Sequence, residues 1–565
     1  VSPSAPASRH KLVAVTRVHP WFLGGGVLAL AAILFFGRLG ERALWSMELR
    51  WAEIPREMQL SGSYCHPTIN GGLYYDKPLG SYWLVLAAGW LTGTVDELAA
   101  RLPSATAGLI GVALLMDLAR RLYDGRTAVL AGLILTTSFG YVFFARCASA
   151  DAETVAGELA ALVLFIRHER RATGPWVVGL WVVMAVTSLT KGLLGFALPL
   201  LVLVCYSSLT PSAEAASWPR MLVRRNQWLF CRATLIGAVL AGTVYLAPFA
   251  ASGDVADRGL ALVYRENLQR FFAPHNHRGP IYLYAYVVFG LMAPWSAFLP
   301  AALLQMRSRL RSGDRRGADR FTLIYFAATF AFFTLSASRR SYYLLPVLPA
   351  GALLVARLLT AGSEALSPGV RVAQRIGFVV LTAIVVGAGI ALLPPEWVLP
   401  GAWAGLPAAP ATTAFALGWL ACLAGLAWAW QSGRMAVAAG LVAALAMTYL
   451  FLLLLPSVEP YRGEREFAAQ VRRVVGPDRA GLALYRTREL VYYLNAPGPI
   501  AEFDTPADLR AAAVGGWLHW AVLRRRDLGC LPTPVQVLVE ETTYPWDGEA
   551  ECNAKALLVD LRAAR

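Results

Sequence analysis

Apolar runs of about 16 to 23 residues recur along most of the first 456 positions, and an α-helix needs about 20 such residues to cross the hydrocarbon of a bilayer. A chain patterned this way has far too much apolar surface for one soluble core. It reads as an all-α polytopic membrane protein. Composition agrees: 57% of residues are hydrophobic and 15% charged, against roughly 25% charged in soluble domains. The net charge of +15 would raise nucleic acid as a partner for a soluble chain. Here the placement of the charges accounts for it, so membrane lipids are expected as partners and nucleic acid is not.

Taken in order, the runs place spans near 20–37, 98–118, 127–145, 152–166, 175–190, 192–208 and 229–250. Further spans fall near 281–304, 321–336, 343–360, 373–393, 411–430 and 434–455, which makes about 13 crossings. Arg9, Lys11 and Arg17 precede the first run without a small-residue cleavage site, which predicts a retained span rather than a signal peptide. Cytoplasmic loops are enriched in Lys and Arg. With the N-terminus inside, every inside loop carries arginine: Arg120, Arg121 and Arg126; Arg167, Arg170 and Arg171; Arg220, Arg224 and Arg225; the run from Arg307 to Arg320; Arg371 and Arg375; and Arg434. The alternation requires that Leu79 to Leu91 does not cross. That stretch is short for a span, and its Trp83 and Trp90 suit an interfacial helix.

This threading divides the chain into a transmembrane domain, 1–456, and an outer domain, 457–565. The first outer loop runs from 37 to 97, and a second covers Ala251 to Pro280. Strand-like segments at Gly481–Tyr485, His519–Leu523 and Val535–Glu541 alternate with polar helical stretches, which predicts a small α/β fold. Thr505 followed by Pro506 marks a helix start. Among seven cysteines there is no CxxC pair, so neither a zinc knuckle nor a redox motif is indicated. Cys530 and Cys552 could pair if the tail faces an oxidising compartment.

Costly polar residues collect on the outer side. The first loop holds Glu48 among the mixed charges of Glu48–Met58, and then Asp76 and Lys77 among Tyr74, Tyr75, Tyr82 and Trp83. Mixed charges suit a salt-bridged surface helix, and a lysine at this depth can snorkel to lipid phosphate or bind one as a point charge. Asp151 opens a span, where an acidic residue favours the helix dipole. Lys191 sits between two apolar runs joined by almost no loop, which makes it a functional candidate by default. Arg270, His275, His277 and Arg278 lie on the second outer loop, and Arg339, Arg340, Tyr342 and Tyr343 at another outer end. Lys77, Lys191, Arg270, Arg339 and Arg340 thus put positive charge where the orientation rule expects little. Together with Glu48, Asp76 and Asp151 they suggest group transfer from a phosphate-bearing lipid. Cations would hold the phosphate leaving group while a carboxylate takes a proton from the incoming hydroxyl.

Five segments carry a resemblance: Leu44–Met58, Asn70–Trp83, Ser188–Pro199, Asn267–Tyr284 with the later Ala293–Trp295, and Ser338–Ala350. In this order they resemble the bacterial aminoarabinose transferases of lipid A and related protein-mannosyltransferase-like glycosyltransferases of the GT-C fold. The resemblance implies an enzyme of the bacterial inner membrane, N-terminus cytoplasmic and C-terminal domain periplasmic. It would move a sugar from a polyprenyl-phosphate carrier to a lipid A-like or other envelope acceptor, by inverting displacement. By position, Lys77, Arg270 and Tyr343 would contact the carrier phosphate, with Arg339 and Arg340 flanking. Asp76, Lys191 and Tyr82 would complete the pocket, and Asp76, Asp151 and His275 could hold a divalent metal ion.

One departure matters. Where the family often has Asp-Glu before x-Arg-Tyr, this chain has Met47, Glu48, Leu49, Arg50 and Trp51. Either Glu48 or Asp151 then acts as base, or the acceptor needs little base help, or transfer has been lost. Two other readings stay open beside the enzyme: a non-catalytic polyprenyl-phosphate-binding membrane protein, and a lipid or glycan transporter.

Overall fold

The computed structural model describes residues 20–562 except 76, 172, 210–224, 254–260, 262–263, 270–278, 312–316, 363–364, 392–411, 433, 458, 460–461, 478, 532–534 and 544–546. Arg270, His275, His277, Arg278 and Asp76 therefore lie outside the described residues. The described residues begin with α1 (Pro20–Phe36), followed in the first long loop by α2 (Ser46–Ser61), a small antiparallel hairpin of β1 (Thr68–Ile69) and β2 (Gly72–Leu73), and α3 (Gly80–Thr92). The long α4 (Glu97–Leu122) follows, then α5 (Gly125–Thr136), α6 (Phe139–Ala145), α7 (Asp151–His168), α8 (Pro175–Lys191) and α9 (Leu194–Leu209). Capping fixes several starts. Asp96 accepts from the Ala99 amide at 2.8 Å and Asp124 from the Thr127 amide at 2.8 Å, each satisfying an N–H that the first helical turn leaves over.

Among the described residues six helices are long and apolar enough to cross a membrane, or eight if each of two bent pairs is one span; four shorter apolar helices accompany them. The bends are the main departure from the expected spans. The segment read as one span near 127–145 is α5 and α6 set 67° apart, and the segment near 281–304 breaks into Leu283–Leu291 and Trp295–Leu310 at 119°. A broken helix at membrane depth must find new partners for its freed polar groups. Here the two breaks supply each other: the Phe139 amide donates to the Ala293 carbonyl at 2.9 Å, and Trp295 Nε1 donates to Thr137 Oγ1 at 2.8 Å.

The tail carries a five-stranded sheet in the order β4-β3-β5-β7-β6, from β3 (Leu482–Tyr485), β4 (Ala501–Phe503), β5 (Trp520–Arg524), β6 (Gln536–Glu540) and β7 (Ala556–Asp560). β3 pairs in parallel with β4 and β5, while β7 pairs antiparallel with β5 and β6. Thr505 caps the helix Pro506–Val514 through the Asp508 amide. Cys530 and Cys552 are both free thiols.

This sheet unit does not stand apart from the first long loop. Leu44, Trp51, Ile54, Met58 and Tyr82 share one buried cluster with Phe467, Val471, Leu484, Val491 and Leu558. Polar contacts ring it. The Asn70 amide donates to the Ile500 carbonyl (2.7 Å) and to Glu502 (2.6 Å), and its Oδ1 accepts from the Ile500 amide (2.7 Å). The Tyr492 hydroxyl donates to the Val95 carbonyl (3.0 Å), and Arg56 reaches Asn495 (3.0 Å). Burial lifts the Glu53 carboxyl above its ordinary range, opposed by the adjoining Arg56 guanidinium. Because Asn70→Ala strands the Ile500 amide and carbonyl at once, it should cost about 1–3 kcal/mol. Limited proteolysis should then cut the tail sooner than in the parent, and equal cleavage rates would mean that the apolar cluster alone holds the unit.

Candidate functional site

Asp151 is the first residue of α7, launched by Ala150 in the left-handed region at φ 58°. It stands in the first turn of α7, where its charge favours the helix dipole as the sequence suggested, but among the described residues neither of its oxygens caps a backbone N–H. Its Oδ1 meets the ammonium of Lys191, the last residue of α8. Its Oδ2 is buried and accepts no hydrogen bond among the described residues. The Lys191 ammonium also stands 5.3 Å from the centre of the Tyr342 ring. The Arg340 guanidinium approaches the same ring at 5.7 Å and donates to the Tyr342 hydroxyl at 2.8 Å. Tyr343 packs edge-on against Tyr342 at 4.9 Å. Two cations therefore lie against one ring, beside a carboxylate whose second oxygen is unpartnered among the described residues. An electron-rich ring can hold such cations close together.

Lys77 lies on the approach to α3, and the start of α3 is pressed onto the end of α8. Ser81 Oγ donates to the Thr190 carbonyl at 3.0 Å, and a Cβ on Gly80 would stand 2.7 Å from the Leu189 carbonyl oxygen. Glycine at 80 is what permits the approach. Arg339 is held differently: it donates to the Gly279 carbonyl at 2.6 Å and to the Thr334 carbonyl at 2.9 Å, so it braces two segments distant in sequence. Tyr82 is fully buried against Trp51, with ring centroids 5.0 Å apart.

Glu48 requires a correction. Proposed from sequence as a base, it is 1% exposed and bound through both oxygens to Arg101, at 2.8 and 2.7 Å. Its Oε1 also accepts from the Ala148 amide (2.9 Å) and its Oε2 from the Trp45 amide (3.3 Å). With four donors on two oxygens, this carboxylate has no lone pair directed at a substrate. Arg101 spends its remaining donors on the carbonyls of Leu39 (3.0 Å), Arg42 (2.7 Å) and Ala43 (3.0 Å). Arg101 escaped the sequence reading, although an arginine at the head of an apolar run was the available signal. No group of three His, Cys, Asp or Glu side chains able to hold a metal ion occurs among the described residues.

A multi-pass helical bundle with bent spans, a helical first loop and a strand-containing tail is a fold that this chain shares with solved structures. The solved structures place it more closely. ArnT from Cupriavidus metallidurans bound to undecaprenyl phosphate aligns with a TM-score of 0.73, covering 96% of this chain and 98% of that one at 23% identity. The apo oligosaccharyltransferase of Archaeoglobus fulgidus aligns at 0.51, covering 90% and 71% at 12% identity. In sequence, the dolichyl-phosphate-mannose-protein mannosyltransferase family matches residues 41–255. The undecaprenyl phosphate-alpha-4-amino-4-deoxy-L-arabinose arabinosyl transferase of Edwardsiella ictaluri is 28% identical over 352 residues, 60% of this chain and 59% of the relative. A Pseudomonas fluorescens relative of the same description is 29% identical over 330 residues, 57% and 56% of the two chains. The match thus spans less than two thirds of these relatives' own lengths. The resemblance to the aminoarabinose transferases holds in sequence and in fold.

Proposed function

We propose that this protein transfers a sugar from a polyprenyl-phosphate carrier to a lipid A-like envelope acceptor, on the outer face of a bacterial inner membrane. The observation that carries the proposal is the convergence of Asp151, Lys191, Tyr342 and Arg340, within a fold shared with a transferase solved with undecaprenyl phosphate bound. In this reading Lys77, Lys191 and Arg340, with Arg270 and Tyr343, stabilise the charge that grows on the departing phosphate. Asp151 Oδ2 accepts the proton of the acceptor hydroxyl, and attack from the opposite face inverts the anomeric carbon. Lys191 balances the carboxylate until the donor arrives. Glu48 is a positioning residue: through the Ala148 amide it fixes the turn from which Asp151 is presented.

Thirteen crossings follow if the four shorter helices and α7 are added to the eight. The side chains of Asp151, Glu153 and Glu158 keep α7 off a hydropathy count. The same threading places the N-terminus in the cytoplasm and 457–565 outside, as the arginine alternation requires. A divalent ion on Asp76, Asp151 and His275 is a lesser proposal. The Lys191 ammonium already sits against Asp151, and the transfer drawn above routes no step through a metal.

Purified protein supplied with undecaprenyl-phosphate-linked sugars and lipid A should give a sugar-modified product by mass spectrometry, reduced at least tenfold by Lys77→Ala. A parent that retains the carrier yet transfers none of the sugars offered would establish the non-catalytic reading, which Met47 favours.

A further inference from the structure

The Glu48–Arg101 bridge also walls a small, open cleft. Three more arginines line it, Arg42, Arg146 and Arg462, together with an aromatic wall of Trp45, Phe143 and Phe451. Carboxylates do not balance these charges. Glu48 is committed to Arg101. Glu459 is shared by Arg42 at 3.2 Å, Arg462 at 3.7 Å and Arg465 at 3.9 Å, and the nearby Glu41 pairs with Arg38 at 2.6 Å. Arg146 has no carboxylate within 4.0 Å among the described residues. It donates to the carbonyls of Leu34 (2.5 Å) and Phe35 (3.4 Å) and lies 6.0 Å from the centre of the Phe451 ring.

A guanidinium drawn out of water without an anion is costly. Burial and the neighbouring Arg462 pull the Arg42 guanidinium below its ordinary value. Among the described residues Arg42 uses only its Nε and Arg146 only one Nη, so several N–H groups remain for a ligand at the cleft. Guanidinium forks match the oxygens of phosphate, two bonds at a time. The rings run beside them, with Trp45 6.0 Å from Phe143, Phe139 6.0 Å from Phe143 and 6.0 Å from Phe451. This is a surface for an apolar substituent.

We propose that this cleft is a second anion site, which binds a phosphate group between Arg42, Arg146 and Arg462 and rests its organic substituent on Trp45, Phe143 and Phe451. The proposal stands whether or not Asp151 catalyses transfer. The phosphate is either the headgroup of an anionic phospholipid, whose apolar part then covers the rings, or a free anion, which binds the arginines and leaves the rings uncovered.

Arginine footprinting of the intact parent protein with phenylglyoxal, read by peptide mass spectrometry at constant ionic strength, tests this without a variant. Labelling of Arg42 and Arg146 should fall at least fivefold, relative to chloride alone, with inorganic phosphate or with phosphatidylglycerol in mixed micelles. Protection by phosphate alone assigns a free anion, by the lipid alone a headgroup, and by both a site for the shared group. Labelling unchanged by either probe overturns the proposal. In Arg146→Gln the concentration giving half-protection of Arg42 should rise at least tenfold, whereas Arg146→Lys should stay nearer the parent. Protection in Arg146→Gln equal to the parent's would equally overturn it.

Discussion

Asp151→Asn is expected to lower sugar transfer by about 10²–10⁴-fold, the range for removal of a positioned general base, while the protein stays folded and still retains the carrier. Asparagine keeps the shape of the side chain and an oxygen for Lys191 to bond. What it loses is the ability of the buried second oxygen, which accepts no hydrogen bond among the described residues, to hold a proton. The change also leaves Lys191 without its counter-charge at a site where the lysine side chain is only 12% exposed. Asp151→Asn with Lys191→Gln addresses this: the pair should melt near the parent temperature and remain inactive. Transfer within threefold of the parent in Asp151→Asn would remove Asp151 from the chemistry and return the question of the base to residues outside the described set.

The separate costs of Asp151 and Lys191 were legible in the sequence, because a charge beside an apolar run has to be explained by something. Their pairing was not. They lie 40 positions apart, and no local pattern announces that the start of α7 meets the end of α8. The apolar runs matched, to within a few residues, the six to eight helices long and apolar enough to cross a membrane among the described residues. They were silent on the bends at Thr137–Ser138 and Met292–Pro294, because a run of apolar residues reads the same whether its axis is straight or broken. Three strands of the tail stood out by alternation and turn residues. β7, buried along its whole length, has no alternation to detect, and β4 has only three residues. Glu48 illustrates the converse error. Its charge and its place in a family-like motif suggested chemistry, whereas the amide of Ala148 and the guanidinium of Arg101, 100 and 53 positions away, commit both its oxygens to structure.

Arg101→Ala should be the most destabilising of the single substitutions considered. Breaking a buried pair by removing one partner typically costs about 3–5 kcal/mol, because the other charge is left without compensation. Here the residue left behind is Glu48, 1% exposed, and the carbonyls of Leu39, Arg42 and Ala43 lose their donors as well. Glu48→Leu with Arg101→Met replaces both charges by apolar groups of similar volume, and should recover part of the loss. Recovery should stop short of the parent because those three carbonyls stay unpaired. A double substitution as unstable as Arg101→Ala would show that the carbonyl contacts, and not the ion pair, dominate the site. Activity separates this effect from catalysis. Glu48→Gln keeps an acceptor for the Ala148 amide but gives up the charge opposite Arg101, so melting temperature and transfer should fall together. In the double variant Asp151→Asn with Lys191→Gln transfer should fall alone. If Glu48→Gln instead lost transfer by 10²-fold or more at an unchanged melting temperature, Glu48 would act on the substrate and not through the turn that presents Asp151.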